Sequence, residues 1–249
     1  MPRRKVIDGK SLFYKGYDLN VSYRYDEKQL SGILNALEFY HELSKTDSFS
    51  NYVAFEVTLN VDETLKSPFF DPLYYDDPCN ELELFNINNL KSVFPSDSYF
   101  YLWTREFKTE YCTGEHYHLM VIANHMSKTE LFNKRDELEN LTGVKSAFIA
   151  PRLLDKNDPR THKVYFHFLR ESVGADGIRD AFSRYCYNAK IDQKIESFNR
   201  SFDGCRKLSP LNVVSKRHAT LFKSKLREKE LNDLDKELNA LEVEWSKAA

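Results

Sequence analysis

The chain has 249 residues, enough for one large domain or a domain with an appendage. Hydrophobic residues make up 41%, and Gly and Pro number only eight each, so a packed core is expected and a fibrous or low-complexity chain is excluded. Charged residues reach 30% but nearly cancel to a formal net charge of −2, so any basic surface for nucleic acid has to be local.

Four cysteines, Cys79, Cys112, Cys186 and Cys205, are widely spaced without a CxxC pair. That pattern excludes a zinc ribbon and a dense disulfide framework, and it fits free thiols in a reducing cytosol. The basic start, Met1-Pro2-Arg3-Arg4-Lys5, is followed by no apolar run, so no signal peptide is expected. No segment approaches the ~20 apolar residues that span a bilayer. A cytoplasmic protein is the expectation.

Along the chain, Leu30, Ile33, Leu34, Leu37 and Tyr40 or His41 recur at helical spacing and predict a helix over 27–44. Clustered β-branched and aromatic residues predict a strand at 52–60. Residues 61–83 carry seven acids against one Lys, with Pro68, Pro72 and Pro78 as breakers, and read as an acidic loop. Strands are expected at 98–108 and 116–124, with Thr113-Gly114 in the turn between them. Ser127-Lys128-Thr129-Glu130 has the form of a capping box opening a helix at 128–141, which Thr142-Gly143 ends. Strands at 144–150 and 163–170 and a helix at 175–199 complete the order. This succession predicts an α+β domain with a central antiparallel sheet and flanking helices over 20–202.

Residues 203–249 read as a basic, helical C-terminal extension. Between Cys205 and Arg227 there are seven Lys or Arg, among them Arg206, Lys207, Lys216 and Arg217, and no acid. Beyond them Leu231, Leu234, Leu238, Leu241 and Trp245 step by three and four. Such a short heptad seam packs back on its own domain or forms a dimer.

Two constellations carry chemistry. In Glu115-His116-Tyr117-His118 the strand period of two puts both imidazoles on one face and Tyr117 on the other. Imidazole nitrogen is a common metal ligand, but a His-x-His pair alone is a weak signal. If the hairpin centres near residue 111, Glu106 lies opposite His116 on the same face and supplies a third ligand. Glu115 and Glu56 are alternative third ligands. Two imidazoles and one carboxylate leave positions for water and phosphate oxygens, which suits Mg²⁺ or Mn²⁺ in a nuclease better than a closed structural zinc site.

The second constellation is the predicted helix around Asp180–Lys190. Ile178, Phe182, Tyr185 and Ala189 form its apolar stripe, so Tyr185 reads as a core aromatic. Tyr187 lies on the other side, with Arg184, Lys190 and Lys194 at offsets of −3, +3 and +7. A free phenol is a poor nucleophile, and nearby cations together with a metal are expected to favour the phenolate, the cations also attracting phosphate. The bland alternative is a solvated basic face.

Together, His116-Tyr117-His118 and Tyr187-Asn188-Ala189-Lys190 resemble the paired motifs of the HUH endonucleases, the rolling-circle replication initiators. Trp103-Thr104-Arg105-Glu106, Asn124 and Tyr187–Lys194, with Leu34–Tyr40 as an opening helix, are similar to the inovirus-type branch that includes the prophage YagK/YfjJ C-terminal domain family. The resemblance covers roughly residues 25–200. It implies the HUH/Rep nuclease fold, with the histidines on a central strand. It also implies that His116, His118 and Glu106 hold Mg²⁺ or Mn²⁺ while Tyr187, aided by Lys190, attacks a phosphate of single-stranded DNA. The products would be a 5′-phosphotyrosine and a free 3′-hydroxyl. Single-stranded or supercoiled origin DNA, a host helicase and a host polymerase are the implied partners. No Walker-type segment follows, so a helicase would be borrowed. Arg184, Lys194, Arg206, Lys207, Lys216 and Arg217 are the candidate DNA contacts, against the reading of 206–227 as a solvated face. The other readings are a non-catalytic DNA-binding regulator of a mobile element, a relaxase, and a metal-dependent phosphoesterase in which Tyr187 plays no part. His162 and His167 are expected to be structural or exposed.

Overall fold

A computed structural model of the chain describes residues 6–7, 13–19, 23–46, 50–61, 85–107, 115–153, 163–170, 177–191, 202–204 and 208–211. All of them lie in the unit Met1–Asn212. Strands β1 (Val6–Ile7), β2 (Phe13–Tyr14), β3 (Tyr17–Asp18) and β4 (Tyr25–Asp26) lead into helix α1 (Glu27–Thr46) and strand β5 (Tyr52–Val61). A 3₁₀ turn (Ile87–Asn89) and the short helix α2 (Leu90–Val93) precede the hairpin of β6 (Tyr99–Phe107) and β7 (Glu115–Asn124). Helix α3 (Lys128–Glu139), β8 (Val144–Ile149), β9 (Arg152–Leu153), β10 (Lys163–Val164) and β11 (His167–Phe168) follow. Helix α4 (Gly177–Tyr185), a 3₁₀ turn (Cys186–Ala189) and β12 (Phe202–Gly204) complete the described elements.

The main sheet has six strands, all antiparallel, in the order β11-β5-β7-β6-β12 with β8 also on β5. The α+β class and central antiparallel sheet are therefore as the sequence predicts. The long β5, β6 and β7 are rich in Val, Ile, Phe and Tyr, which suit a pleated surface buried on both sides. One face carries Tyr52, Ala54, Phe100, Leu102, Met120 and Ile122 against α1 and α4. The other carries Val53, Phe55, Val57, Leu59, Leu119 and Val121 against α2 and α3. Helix α1 buries Leu30, Ile33, Leu34 and Leu37 completely, as its spacing foretells. Each such side chain contributes about 1.5–3 kcal/mol of apolar burial. At α3 both halves of the capping box form, and the helix stops at Glu139 instead of 141.

Several expectations are corrected. The strand read at 163–170 is two short strands, β10 and β11, which join different sheets. The helix read at 175–199 loses its α-geometry after Tyr185 and ends at Ala189. Lys190 is extended (φ −61, ψ 139) because it is captured as a bridge partner of Tyr25, and the Ile191 amide donates to the Arg24 carbonyl at 2.9 Å. The short strands β1–β4 and β12 have no sequence signature. β12 lies against β6 so closely that a Cβ at Gly204 would sit 2.2 Å from the Tyr101 carbonyl oxygen, which explains the glycine there.

The acidic segment 62–84, the turn at Thr113-Gly114, His162, Lys194, Arg206, Lys207 and everything from residue 212 onward lie outside the described residues, and with them the C-terminal helix and its dimer seam. Of the four cysteines only Cys186 is described, as a buried free thiol. No helix among the described residues is long and apolar enough to cross a membrane.

Candidate metal centre

The hairpin register sets the site. β6 and β7 pair with Glu106 opposite His116 and Thr104 opposite His118, a register centred on residue 111. Because strand side chains alternate, Glu106, His116 and His118 share the face that carries α1 and α4. Toward one end this face is apolar, with Ile122, Met120, Phe100 and Leu102 in the core. Toward the other it turns polar at Thr104, Glu106, His116 and His118.

One donor atom from each of Glu106, His116 and His118 lies within 4.8 Å of the others, so the three could hold a metal ion. His116 Nε2 is 3.5 Å and His118 Nε2 3.6 Å from Glu106 Oε2. Both Glu106 oxygens are buried and accept no hydrogen bond. A buried carboxylate without hydrogen bonds is costly, and a cation shared with two imidazoles would remove that cost. The donor set thus fits a divalent cation. Burial by itself would raise the Glu106 carboxyl, but His116, His118 and Lys190 outweigh it and hold the group below its ordinary value.

The two alternative ligands are placed elsewhere. Glu115 points to the opposite face, where it accepts from Arg105 Nε and from the Tyr117 hydroxyl, both at 2.6 Å. Glu56 is on the site face but behind the triad. It lies 3.6 Å from His118 Nδ1 and accepts from Arg184 Nε at 2.6 Å. Thr58 Oγ1 also reaches His118 Nδ1, at 3.1 Å. These two contacts fix the ring of His118 with Nε2 toward Glu106, as groups behind metal-binding histidines commonly do. Burial tends to raise Glu56, and His118 and Arg184 reverse that and hold it low.

Tyr187 stands beside the triad. Its ring meets the His118 ring edge-on, centroids 5.5 Å apart. Residues i and i+3 eclipse in a 3₁₀ turn, so Lys190 falls on the same side as Tyr187, and its Nζ donates to the Tyr187 hydroxyl at 3.0 Å. The turn is anchored by Thr104 Oγ1, which donates to the Asn188 carbonyl at 2.7 Å. Tyr185 instead is fully buried, its ring against His167.

Two expectations about this helix change. Lys190 is not on a solvated basic face. It is 2% exposed, its ammonium 4.3 Å over the Tyr187 ring and 4.4 Å over the Tyr23 ring. Nor do the cations lower the phenol in the metal-free protein. Burial, Glu106, Tyr23 and Glu56 push Tyr187 well above the usual phenol value, and Arg184 offsets them only in part. Arg184 is half exposed at the edge of the site, tethered to Glu56. Tyr23 and Thr58 escaped the sequence reading, since only pairings distant along the chain bring them here.

Compared with protein families, with characterised proteins and with solved structures, the chain matches none of them at a significant level.

Proposed function

We propose that this chain is a metal-dependent, site-specific single-stranded DNA endonuclease that cuts through Tyr187, in the manner of the HUH replication initiators it resembles. One observation carries the reading: a lysine-bonded phenol packs on His118, a member of the Glu106–His116–His118 triad. Mg²⁺ or Mn²⁺ held by the triad would draw electron density from a bound phosphate and make its phosphorus more electrophilic. The Tyr187 oxygen attacks that phosphorus, the P–O3′ bond breaks, the phenolic proton passes to solvent, and the leaving oxygen is protonated to a free 3′-hydroxyl. Lys190 donates to the attacking oxygen and stabilises its negative charge. The 5′-phosphate stays on Tyr187, and the free 3′-hydroxyl would prime rolling-circle replication by a host polymerase.

The test is adduct formation. Purified protein with Mn²⁺ or Mg²⁺ and a pool of labelled single-stranded oligonucleotides should give a protein–DNA species that survives denaturation, and Tyr187→Phe should give none. Absence of the adduct with the cognate origin strand and either metal would defeat the proposal. The second reading is a metal-binding but non-catalytic DNA-binding regulator. That reading predicts DNA binding by wild type and Tyr187→Phe alike, with no adduct from either.

A further inference from the structure

Among the described residues, three large hydrophobic side chains are exposed: Val6, Phe13 and Phe148. Isolated surface hydrophobics are ordinary. Val6 and Phe13 lie on two-residue strands near the N-terminus. Phe148, 58% exposed, sits on the main sheet.

The register defines its surroundings. Phe148 pairs with Thr58, Thr58 with His118, and His118 with Thr104, so the four form one row across β8, β5, β7 and β6. Directly paired residues share a face, and Thr58 touches His118, so Phe148 stands on the face that bears the triad. Its neighbours Ala147 and Ile149 are buried in the opposite core. At two strand spacings, Phe148 is roughly 10 Å from His118. The adjacent row, Ser146–Asn60–His116–Glu106, is polar, with Asn60 Nδ2 donating to Ser146 Oγ at 2.9 Å. Glu56, two residues from Thr58 on the same face, holds Arg184, whose side chain is 52% exposed. An exposed aromatic ring and a half-exposed guanidinium thus lie beside the triad, the ring beyond Thr58 and the guanidinium held on Glu56.

We propose that Phe148 is a stacking platform for a base of single-stranded DNA flanking the cleaved phosphate, with Arg184 contacting the backbone beside it. The inference rests on the nuclease reading above and adds to it the path of the strand: outward from the triad, over Thr58, toward β8. A ring face accepts any base, and a guanidinium accepts phosphate, so the pair gives grip without sequence selection. A duplex keeps its bases stacked inside and cannot use the ring.

The experiment measures binding by fluorescence anisotropy in EDTA, where no cleavage occurs, using a labelled mixed-sequence 20-mer as a single strand and as a duplex. Phe148→Ala should bind the single strand about 5- to 150-fold more weakly and the duplex unchanged. Phe148→Trp should restore the affinity, and its indole emission should be quenched when the single strand binds. Because the residue is exposed, both variants should melt as wild type does. Unchanged single-strand affinity in Phe148→Ala, equal loss on single strand and duplex, or an indole that ignores the DNA overturns the platform. So does a change of oligomeric state in Phe148→Ala, which would make the ring a protein contact. Failure of adduct formation with intact single-strand binding would instead fault the nuclease reading, so the two failures are separable.

Discussion

Lys190 donates to the hydroxyl of Tyr187 at 3.0 Å while its ammonium lies 4.3 Å over the ring of the same residue. The lysine is buried, and its charge is one of those that hold the Glu106 carboxyl low. It therefore serves two opposed ends. It stabilises an oxygen anion on Tyr187, and it repels a cation entering the triad. Lys190→Met separates these effects. Single-turnover adduct formation should fall about 100-fold or more, the scale of removing one donor from a developing anion. Mn²⁺ affinity, followed by calorimetry, should stay the same or tighten. A variant that loses metal affinity would show instead that Lys190 acts by holding the triad together.

The triad could hold a metal ion in the folded state, and the unfolded chain has no such cluster. A metal at 100 times its Kd should add about 2.7 kcal/mol, or a rise in Tm of roughly 5–10 °C for a chain of this size. Thermal melts with Mn²⁺ or Mg²⁺, reversed by EDTA, check this. His116→Ala and Glu106→Ala should each abolish the shift. Metal-free Glu106→Ala should itself be destabilised at neutral pH, because His116, His118 and the buried Lys190 that hold its carboxyl low lose their counter-charge. A full metal shift in Glu106→Ala would exclude it as a ligand.

How far the sequence speaks follows from the range of each interaction. The triad was readable because it depends on strand period and on one local hairpin whose centre fixes Glu106 opposite His116. The α1 stripe and the Ser127 cap are equally local. The end of α4 and its 3₁₀ turn is not readable in the sequence, because Tyr25 decides it by pairing with Lys190 from the far end of the domain. For the same reason the expected basic face dissolved: Lys190 turned inward between two rings and Arg184 was drawn to Glu56. Glu56 drew notice as a ligand candidate, yet its place behind His118 depends on the β5–β7 register. A helical wheel assumes a continuous α-helix, and here the α-helix stops two residues before Tyr187.

Alkaline stability has a specific handle outside the site. The Tyr99 phenol is pushed up to about 12 by burial and by Glu130 and Glu137. The folded state therefore keeps this proton when the unfolded chain, near 10, has lost it. The stabilisation is complete below pH 10 and drains away as pH rises from 10 to 12. Across that window the Tm of wild type should fall more steeply than that of Tyr99→Phe, and below pH 9 the two slopes should coincide. Parallel slopes throughout would show that Tyr99 ionises alike in both states.

Tyr23 supplies the other half of the lysine's aromatic enclosure, its ring 4.4 Å from the ammonium and edge-on to Tyr187 at 5.5 Å. It comes from the segment just before β4, whose pairing with Lys190 also ends the 3₁₀ turn. Its role is to position Lys190, since a desolvated cation over a ring is held by about 2 kcal/mol. The face of the ring matters for this, and the hydroxyl does not. Tyr23→Phe should then keep adduct formation near wild type, and Tyr23→Leu should slow it about 30-fold, with single-strand affinity unchanged in both. Weakened DNA binding in Tyr23→Leu would move the residue from positioning the lysine to contacting the strand. Equal slowing in Tyr23→Phe and Tyr23→Leu would place the effect on the hydroxyl and remove the aromatic enclosure as the reason Lys190 stays aimed at Tyr187.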